Sequence, residues 1–304
     1  MNVIVLMSIF ALSYILASTP TRAMPEAATS GAITSTPEKR ISNEQYEKEL
    51  LPLLRAREFV ALESATRQVQ ERFENGTLSD IQLRNIYRQF YDLDEQDLGK
   101  IEAWKNTVPG SYSAHLIRGV HFKRKAADAR GGKYISQTPP DNIKRMRQYE
   151  EIAITELRNS LKLTEKPFLS VFQLLEISKM SGSKETSRGL VIAANKMLPS
   201  NTLARNRFMM TLTPRWGGSY EEMKQFIAQS KKEEVSSVGV SQLEAIMYDD
   251  IAFTYLEQDD RQNATTYFLK ALELARSIGG DFRKDWLFFA NIHICGDPDL
   301  AKYC

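Results

Sequence analysis

The string Arg215-Trp216-Gly217-Gly218 is the most unusual short sequence in this chain of 304 residues. It places a guanidinium group beside an indole, and arginine and tryptophan are enriched among the residues that dominate protein–protein binding energy. The two glycines would give such a binding loop a flexible backbone. The alternative is a corner between two helices, in which Trp216 packs as a plug and the glycines make the turn. Glycine close to proline is usual turn chemistry, which favours the corner.

A second candidate for binding is the basic stretch over residues 118–133, which contains six lysines or arginines and one aspartate. A positive face of this kind would suit an acidic partner. A nucleic-acid partner is less well supported, because Phe122 is the only ring interleaved with these charges. The whole sequence has 40 basic and 38 acidic residues, a net charge of +2, which argues against nucleic acid as the main partner. A solvated helix face also explains the stretch and is slightly favoured.

The residue types that perform catalysis do not occur in a recognisable arrangement. The three histidines are His115, His121 and His293. The first two are six residues apart, and on a helix that spacing does not place them on one face, which argues against a shared metal. The sequence lacks a nucleophile elbow, a phosphate-binding glycine loop and a cysteine–histidine pair in a known context. We therefore predict no catalytic residues, no metal site and no cofactor.

The two cysteines, Cys295 and Cys304, both lie within the last ten residues. Export would place them in an oxidising compartment, where pairing is favoured. The intervening Gly296, Asp297 and Pro298 can turn the backbone back on itself. We predict a disulfide that pins the C-terminus, rather than a redox pair or half of a metal site.

The N-terminus predicts export. Residues 3–17 contain no charge, and this fifteen-residue run is shorter than the roughly 20 apolar residues that a membrane span needs. The run fits a secretory signal peptide over residues 1–23 with cleavage after Ala23, and cleavage after Ala17 is the alternative. No lysine or arginine precedes the run, so an uncleaved membrane anchor stays open. Residues 24–41 are rich in small residues, threonine and proline and are predicted to be a disordered linker.

Residues 42–304 are predicted to fold as an all-α domain. Apolar residues follow the 3.6-residue period of a helix over 59–73 and again over 83–90, which predicts a helical hairpin. Ser79, Ser111 and Ser219 stand where N-caps are expected, and glycines end several of the segments. Alternating apolar runs do not exceed about four residues, whereas a typical strand has five or six.

One helical pair carries a more specific pattern. Ala252, Tyr255, Ala264, Phe268 and Ala271 lie at offsets 0, 3, 12, 16 and 19. This spacing resembles the tetratricopeptide repeat, in which small residues let two helices approach and large rings fill the gap. The resemblance covers residues 245–278 and implies an irregular α-solenoid, or an array of helical hairpins, that binds other proteins. Such a pair needs neighbours to bury its remaining faces.

Two further segments support a family resemblance. They are AWKNTVPGSYSAHLIRG, followed by Arg130-Gly131-Gly132, and TPRWGGSYEEM, which begins at Thr213. Together they resemble a family of exported bacterial proteins known only as a domain of unknown function, whose similarity extends over roughly residues 50–290 as repeat architecture. The resemblance implies an all-helical fold and a bacterial source, and it brings no catalytic residues.

The resulting hypothesis is an exported, non-enzymatic helical-repeat protein, periplasmic or secreted, that binds a protein or peptide on the concave face of its array. The partner would be acidic if the basic stretch takes part, and the membrane is involved only through an uncleaved anchor. Two alternatives stay open: a periplasmic immunity protein that neutralises a secreted effector, and a helical hydrolase acting on envelope polymers. The residues predicted to contact the partner are Trp104, Arg118, Arg215, Trp216, Tyr248 and Tyr255.

Overall fold

The computed structural model describes residues 42–132, 137–181, 183–233 and 235–278. Over these ranges the protein is all-α, with no strand, which confirms the predicted fold class and its helical-repeat arrangement. Twelve α-helices lie in the described ranges: α1 (Asn43–Ala56), α2 (Phe59–Glu74), α3 (Asp80–Tyr87), α4 (Glu95–Thr107), α5 (Tyr112–Arg130), α6 (Pro140–Ser160), α7 (Phe168–Ser181), α8 (Lys184–Met197), α9 (Leu203–Thr211), α10 (Tyr220–Lys232), α11 (Ser237–Glu257) and α12 (Arg261–Ile278).

Several predictions concern segments outside the described residues. These are the signal peptide over 1–23, the linker over 24–41, and the disulfide between Cys295 and Cys304. They remain predictions. The first described helix begins directly after Ser42, whose hydroxyl oxygen caps it by accepting the backbone N–H of Gln45.

The helix boundaries follow from local capping chemistry. Ser79 and Gln82 form a reciprocal capping box at the start of α3: the side-chain oxygen of each accepts the other residue's backbone N–H, at 3.2 and 2.9 Å. Ser111 and Ser219 cap α5 and α10 through the same type of bond. Pro140 occupies the first position of α6, where its missing N–H leaves no partner unsatisfied. These boundaries agree with the sequence prediction.

Most helices that are neighbours in sequence pack against one another, and α5 and α6 approach closely at Gly119. A Cβ atom on this glycine would lie 2.7 Å from Leu157 Cγ and 3.3 Å from the carbonyl oxygen of Ala153. Real Cβ atoms do not approach a neighbour this closely, so a larger residue would push the two helices apart. The Arg118-Gly119 pair of the sequence motif therefore has a packing role through its glycine.

A single apolar core extends from α1 into the first half of α11. Trp104 is among its largest members and is 0% exposed, with its indole Nε1 donating to Glu63 Oε2 at 3.2 Å. Contrary to the sequence expectation, Trp104 is thus part of the core and not of an accessible face. The reason is its position three residues after Ile101, which is also 0% exposed and lies on the same side of α4.

The tetratricopeptide-like pair corresponds to α11 and α12. Ala252, Ala264 and Phe268 are all at most 2% exposed and form a second, smaller apolar cluster with Leu272. Asp259, at the predicted turn, has a left-handed backbone with φ of 60°. However, α11 starts at Ser237, earlier than the predicted unit, because its first half packs into the main core.

Candidate functional site

The turn at Pro214–Trp216 joins α9 to α10 as a short 3-10 helix, and its shape is set by glycine backbone. Gly217 has a left-handed φ of 78°, which glycine adopts without strain. A Cβ atom on Gly218 would lie 2.0 Å from the carbonyl oxygen of Leu212, so only glycine fits there. The corner therefore forms through the backbone, without a requirement for the indole of Trp216.

Arg215 leaves this turn toward α11. Its Nε donates to Asp250 Oδ1 at 2.8 Å, and its Nη2 bonds the same oxygen. Its guanidinium carbon also lies 4.5 Å from the centroid of the Phe253 ring. Asp250 is 5% exposed, whereas the Arg215 side chain is 47% exposed. Arg215 thus neutralises a buried carboxylate with one edge and remains open to solvent elsewhere.

The carboxylate of Asp250 is also fixed from α10. The hydroxyl of Tyr220 donates to Asp250 Oδ2 at 3.2 Å and lies 2.7 Å from Thr254 Oγ1. Burial, with a smaller contribution from the charge of Asp250, raises the pKa of Tyr220 to about 12, so the phenol stays protonated at neutral pH. Tyr220 thereby links α10 to the middle of α11.

Trp216 leaves the turn toward α7, where Lys179 lies against it. The Nζ atom of Lys179 is 4.9 Å from the centroid of the Trp216 ring, within the range of a cation–π interaction. Trp216 is partly buried and is absent from the fully buried core. We call the group formed by Lys179, Arg215, Trp216 and Phe253 the Trp216 surface.

Lys179 carries a charge that its surroundings do not neutralise. No carboxylate of the described residues lies within ion-pair distance of its Nζ atom. Burial, together with the positive charge of Arg207, lowers the pKa of Lys179 to about 8. The described charges that act on it come from Glu176 on α7, from Arg207 on α9 and from Arg215 on the turn.

Glu176, the carboxylate whose charge acts on Lys179, is already shared between two other cations. Its Oε1 lies 2.5 Å from Nη2 of Arg207, and its Oε2 accepts a hydrogen bond from Lys123 Nζ. Burial alone would raise the pKa of Glu176, but the charges of Lys123 and Arg207 outweigh that effect and lower the pKa to about 2. Glu176 is therefore ionised and committed to these two partners.

Asp249 adds a second titratable group beside the same arginine. Burial raises its pKa to about 7, the charge of Arg215 opposes this shift, and the neighbouring charge of Asp250 adds to it. No hydrogen bond within the described part of the protein reaches the Asp249 carboxylate. Because this pKa lies near neutral pH, the negative charge that Asp249 places beside Arg215 increases as the pH rises through about 7.

A separate polar cluster lies between α4, α5 and α6, and we call it the Glu156 cluster. Glu156 is 7% exposed and accepts from Lys105 Nζ at 3.0 Å and from Arg118 Nη1 at 2.6 Å. Its other oxygen lies 2.5 Å from Nδ1 of His115. The fifth member, Glu102, is more exposed and bonds Nε of Arg118. Arg118 is thus engaged on both sides.

The remaining predicted contact residues, Tyr248 and Tyr255, lie on α11 beside Tyr267 of α12. The Tyr255 and Tyr267 rings are stacked, with centroids 5.7 Å apart and planes 15° apart. The Tyr248 ring lies 6.0 Å from Tyr267, and Lys270 Nζ lies over both rings. All three tyrosines are partly exposed. The predicted residues thus fall into separate groups. Arg215 and Trp216 share the Trp216 surface, Tyr248 and Tyr255 lie beside Tyr267, Arg118 belongs to the Glu156 cluster and Trp104 to the core.

Lys179 and Glu176 are not predicted from the sequence patterns above, although a signal for them exists. They are the only two charged residues in α7, whose sequence FLSVFQLLEISKMS is otherwise apolar or uncharged. A helix that is apolar on most sides is buried on most sides. Charged side chains within it are therefore partly desolvated, which is costly unless they are paired or bind a ligand. The pairing of Glu156 with Lys105 gives no such signal, because the two residues are 51 positions apart.

Two other types of site receive no support from the described residues. They contain no group of three or more histidine, cysteine or acidic side chains placed to hold a metal ion. A small apolar cavity within them is lined by Tyr87, Phe90 and Leu116 among others and has room for about one water molecule. Among the same residues, no helix has both the length and the apolar character needed to cross a bilayer.

Comparison with known proteins connects part of the sequence to a family. Residues 47–196 match the model of a family described as a domain of unknown function, DUF4034. The match includes the Glu156 cluster and Lys179, and it ends before the turn that carries Arg215 and Trp216. No curated protein and no solved structure matched the sequence. The match supports the general resemblance to an uncharacterised family, while the motifs, the bacterial source and export remain predictions.

Proposed function

We propose that this protein is an exported, non-enzymatic binding protein that recognises a protein or peptide at the Trp216 surface. The observation that carries the proposal is the position of Trp216, which is partly exposed on a turn that glycine backbone already fixes. An indole that is not needed to build its own corner is available for a partner. Tryptophan and arginine are the residue types that most often dominate binding energy.

The chemistry around the turn supports binding rather than catalysis. Arg215 is held by Asp250 and rests on Phe253, and Lys179 rests on Trp216. Both cations are therefore presented on aromatic faces in fixed positions, which lowers the entropy lost when a partner binds. A hydrolase would need a nucleophile or an activated water in a pocket, and this surface offers neither.

The test is capture of partners by the full-length protein in three forms: wild type, Trp216→Ala and Val60→Ala. Val60 on α2 is 79% exposed and serves as the matched control for removing an exposed apolar side chain. We expect a partner that binds the wild type and the Val60 variant, with an affinity for the Trp216 variant weaker by about 2 kcal/mol, or roughly 30-fold.

Thermal unfolding of the same three proteins completes this test. If Trp216 serves recognition, the Trp216→Ala variant unfolds close to the wild-type temperature. If Trp216 is instead a packing plug, the variant loses about 3–5 kcal/mol of stability. The latter outcome, or undiminished capture by the Trp216 variant, would overturn the proposal.

A further inference from the structure

The distribution of ion pairs around the Trp216 surface leaves one cation without a partner. Arg215 pairs with Asp250, while Lys123 and Arg207 share the two oxygens of Glu176. Lys179 is the cation of the Trp216 surface that has no such pair. Within the described ranges its Nζ atom contacts the indole face of Trp216 and no carboxylate. A partly buried ammonium group of this kind is costly unless an anion completes its surroundings.

The local charge balance is accordingly positive. Lys123, Arg207 and Lys179 face the ionised carboxylate of Glu176, and the charge of Arg84 also acts on it, whereas Asp249 and Asp250 act on Arg215. The potential at Lys179 therefore attracts an anion, and the charge of Arg215 adds to the attraction. The lowered pKa of Lys179 agrees with a cation that lacks its counter-charge.

We infer that Lys179 binds a carboxylate group of the polypeptide partner, from an acidic side chain or from the partner's own C-terminus, with the indole of Trp216 packed alongside. This inference rests on the proposed function and adds the chemical class that the surface recognises. The indole offers an apolar face to the methylene groups that lead to a carboxylate. Lys179 offers the charge, with three hydrogen-bond donors.

A carboxylate fits this position better than a phosphate. Phosphate recognition commonly uses a guanidinium that makes two parallel hydrogen bonds. Both nearby guanidinium groups, those of Arg207 and Arg215, already face protein carboxylates. One unpaired ammonium matches one singly charged anion.

The test uses defined probes, so that no natural partner has to be known. The probes are the acetylated and amidated tripeptides Ala-Glu-Ala and Ala-Gln-Ala, the acetylated tripeptide Ala-Ala-Ala with a free C-terminus, and inorganic phosphate. Nuclear magnetic resonance of the full-length protein follows the side-chain signals of Lys179 and the indole N–H of Trp216. We expect both signals to shift with the glutamate or free C-terminus peptide and to stay in place with the glutamine peptide. The larger response identifies the source of the carboxylate.

Substitutions of Lys179 distinguish its specific contribution to carboxylate binding from the attraction that any surface lysine exerts on an anion. Lys179→Met should weaken binding of the carboxylate probe at least tenfold, and Lys179→Arg should retain most of it because the charge remains. Lys231→Met is the control, because Lys231 is a 56%-exposed lysine on α10 that pairs with Glu244. For the wild type, the affinity should fall as the pH rises above about 8, where Lys179 loses its proton.

Three results would overturn the inference: equal shifts with the glutamate and glutamine peptides, unchanged binding by Lys179→Met, or tighter binding of phosphate than of either carboxylate. Partner capture tells this failure apart from failure of the proposed function. Capture that is lost in Trp216→Ala but kept in Lys179→Met contradicts the inference alone. Capture that survives in Trp216→Ala contradicts the proposed function, and the probe titration still reports on Lys179 independently.

Discussion

Lys179 should reduce the stability of the folded protein for as long as it carries its proton. Its pKa of about 8 lies below the ordinary lysine value of 10.5, so the folded state holds this proton less tightly than the unfolded state does. The resulting decrease in the free energy of unfolding is fully present below pH 8 and disappears as the pH rises toward 10.5. We expect Lys179→Met to raise the free energy of unfolding at pH 7 by about 1–3 kcal/mol.

Urea unfolding of the wild type and of Lys179→Met between pH 7 and pH 10 measures this effect. The difference between the two proteins should narrow over that range as the wild-type lysine becomes neutral. Lys231→Met should change stability by less than about 0.5 kcal/mol at either pH, as is usual for exposed positions. A difference that stays constant with pH would attribute the gain to methionine packing instead of charge.

The ionised carboxylate of Glu156 should stabilise the folded protein, in contrast to the protonated Lys179. Burial would raise its pKa, but hydrogen bonds from His115 and Lys105 and the charge of Arg118 outweigh burial and lower the pKa to about 2. Its contribution to stability is present above about pH 4.5 and is lost as the pH falls toward 2. Glu156→Gln removes the buried carboxylate that the partly buried Lys105 and Arg118 share and leaves them only Glu102, and we expect a loss of about 3 kcal/mol at pH 7.

Glu102→Gln is the matched control for the Glu156 cluster, because Glu102 contacts Lys105 and Arg118 from a more exposed position. A partly exposed pair contributes about 1 kcal/mol or less, so this variant should stay close to the wild type. Urea unfolding at pH 7 and pH 3 distinguishes the two variants. The deficit of Glu156→Gln should shrink at pH 3, and equal losses in the two variants would contradict the assigned role.

At the scale of the helices, the sequence predicts what depends on local chemistry. The capping box of Ser79 and Gln82 and the N-caps Ser111 and Ser219 lie within one turn of the bonds they make, so their types and spacing reveal the boundaries. Periodicity also identifies the apolar faces. It does not show whether a neighbouring helix covers a given face, and for that reason sequence reasoning places the buried Trp104 at the surface.

The candidate site was less predictable, because it depends on contacts between residues distant in sequence. Arg215 and Trp216 were identified by type, but Asp250, which fixes Arg215, lies 35 residues away. The approach of Lys179 to Trp216 joins α7 to the 214–216 turn across two intervening helices. Such pairings follow from how helices pack, and the pattern of a single segment does not encode them.

Substitution of Gly119 tests how closely α5 and α6 pack, and substitution of Gly99 in α4 serves as the control. In α5, Gly119→Ala introduces a Cβ atom against Leu157 and should cost about 1–3 kcal/mol. In α4, a Cβ atom added to Gly99 would meet no other atom within 4 Å, so Gly99→Ala should instead stabilise by up to about 1 kcal/mol through helix propensity. Thermal unfolding of both variants gives the comparison, and stabilisation by Gly119→Ala would contradict the close approach.

At the scale of the whole molecule, the C-terminal cysteines provide a prediction that does not depend on the described residues. A disulfide between Cys295 and Cys304 would close a loop of about ten residues and stabilise the folded protein by about 2–3 kcal/mol. Thiol labelling of the native protein, purified without reductant, should detect no free thiol. Labelling of both cysteines would refute the bridge.

Export is the second prediction at this scale. If residues 1–23 are a signal peptide, the protein recovered outside the cytoplasm should begin at Met24, as determined by N-terminal sequencing. A protein that begins at Ser18 would show that the alternative cleavage after Ala17 is used instead. Full-length protein in the membrane fraction would indicate the uncleaved anchor.

Helix α11 spans two apolar clusters of different size, and this difference should affect local unfolding. Its first half belongs to the main core, and Ala252 in its second half belongs to the small cluster with α12. Asp250 lies between these two halves of α11, and its carboxylate accepts hydrogen bonds from Arg215 and Tyr220. We therefore expect the backbone amides of α12 and of the second half of α11 to exchange through local opening at a low free energy. The amides that precede Asp250 should be protected more strongly. The Pro214–Trp216 turn would then also protect the first half of α11 from exchange.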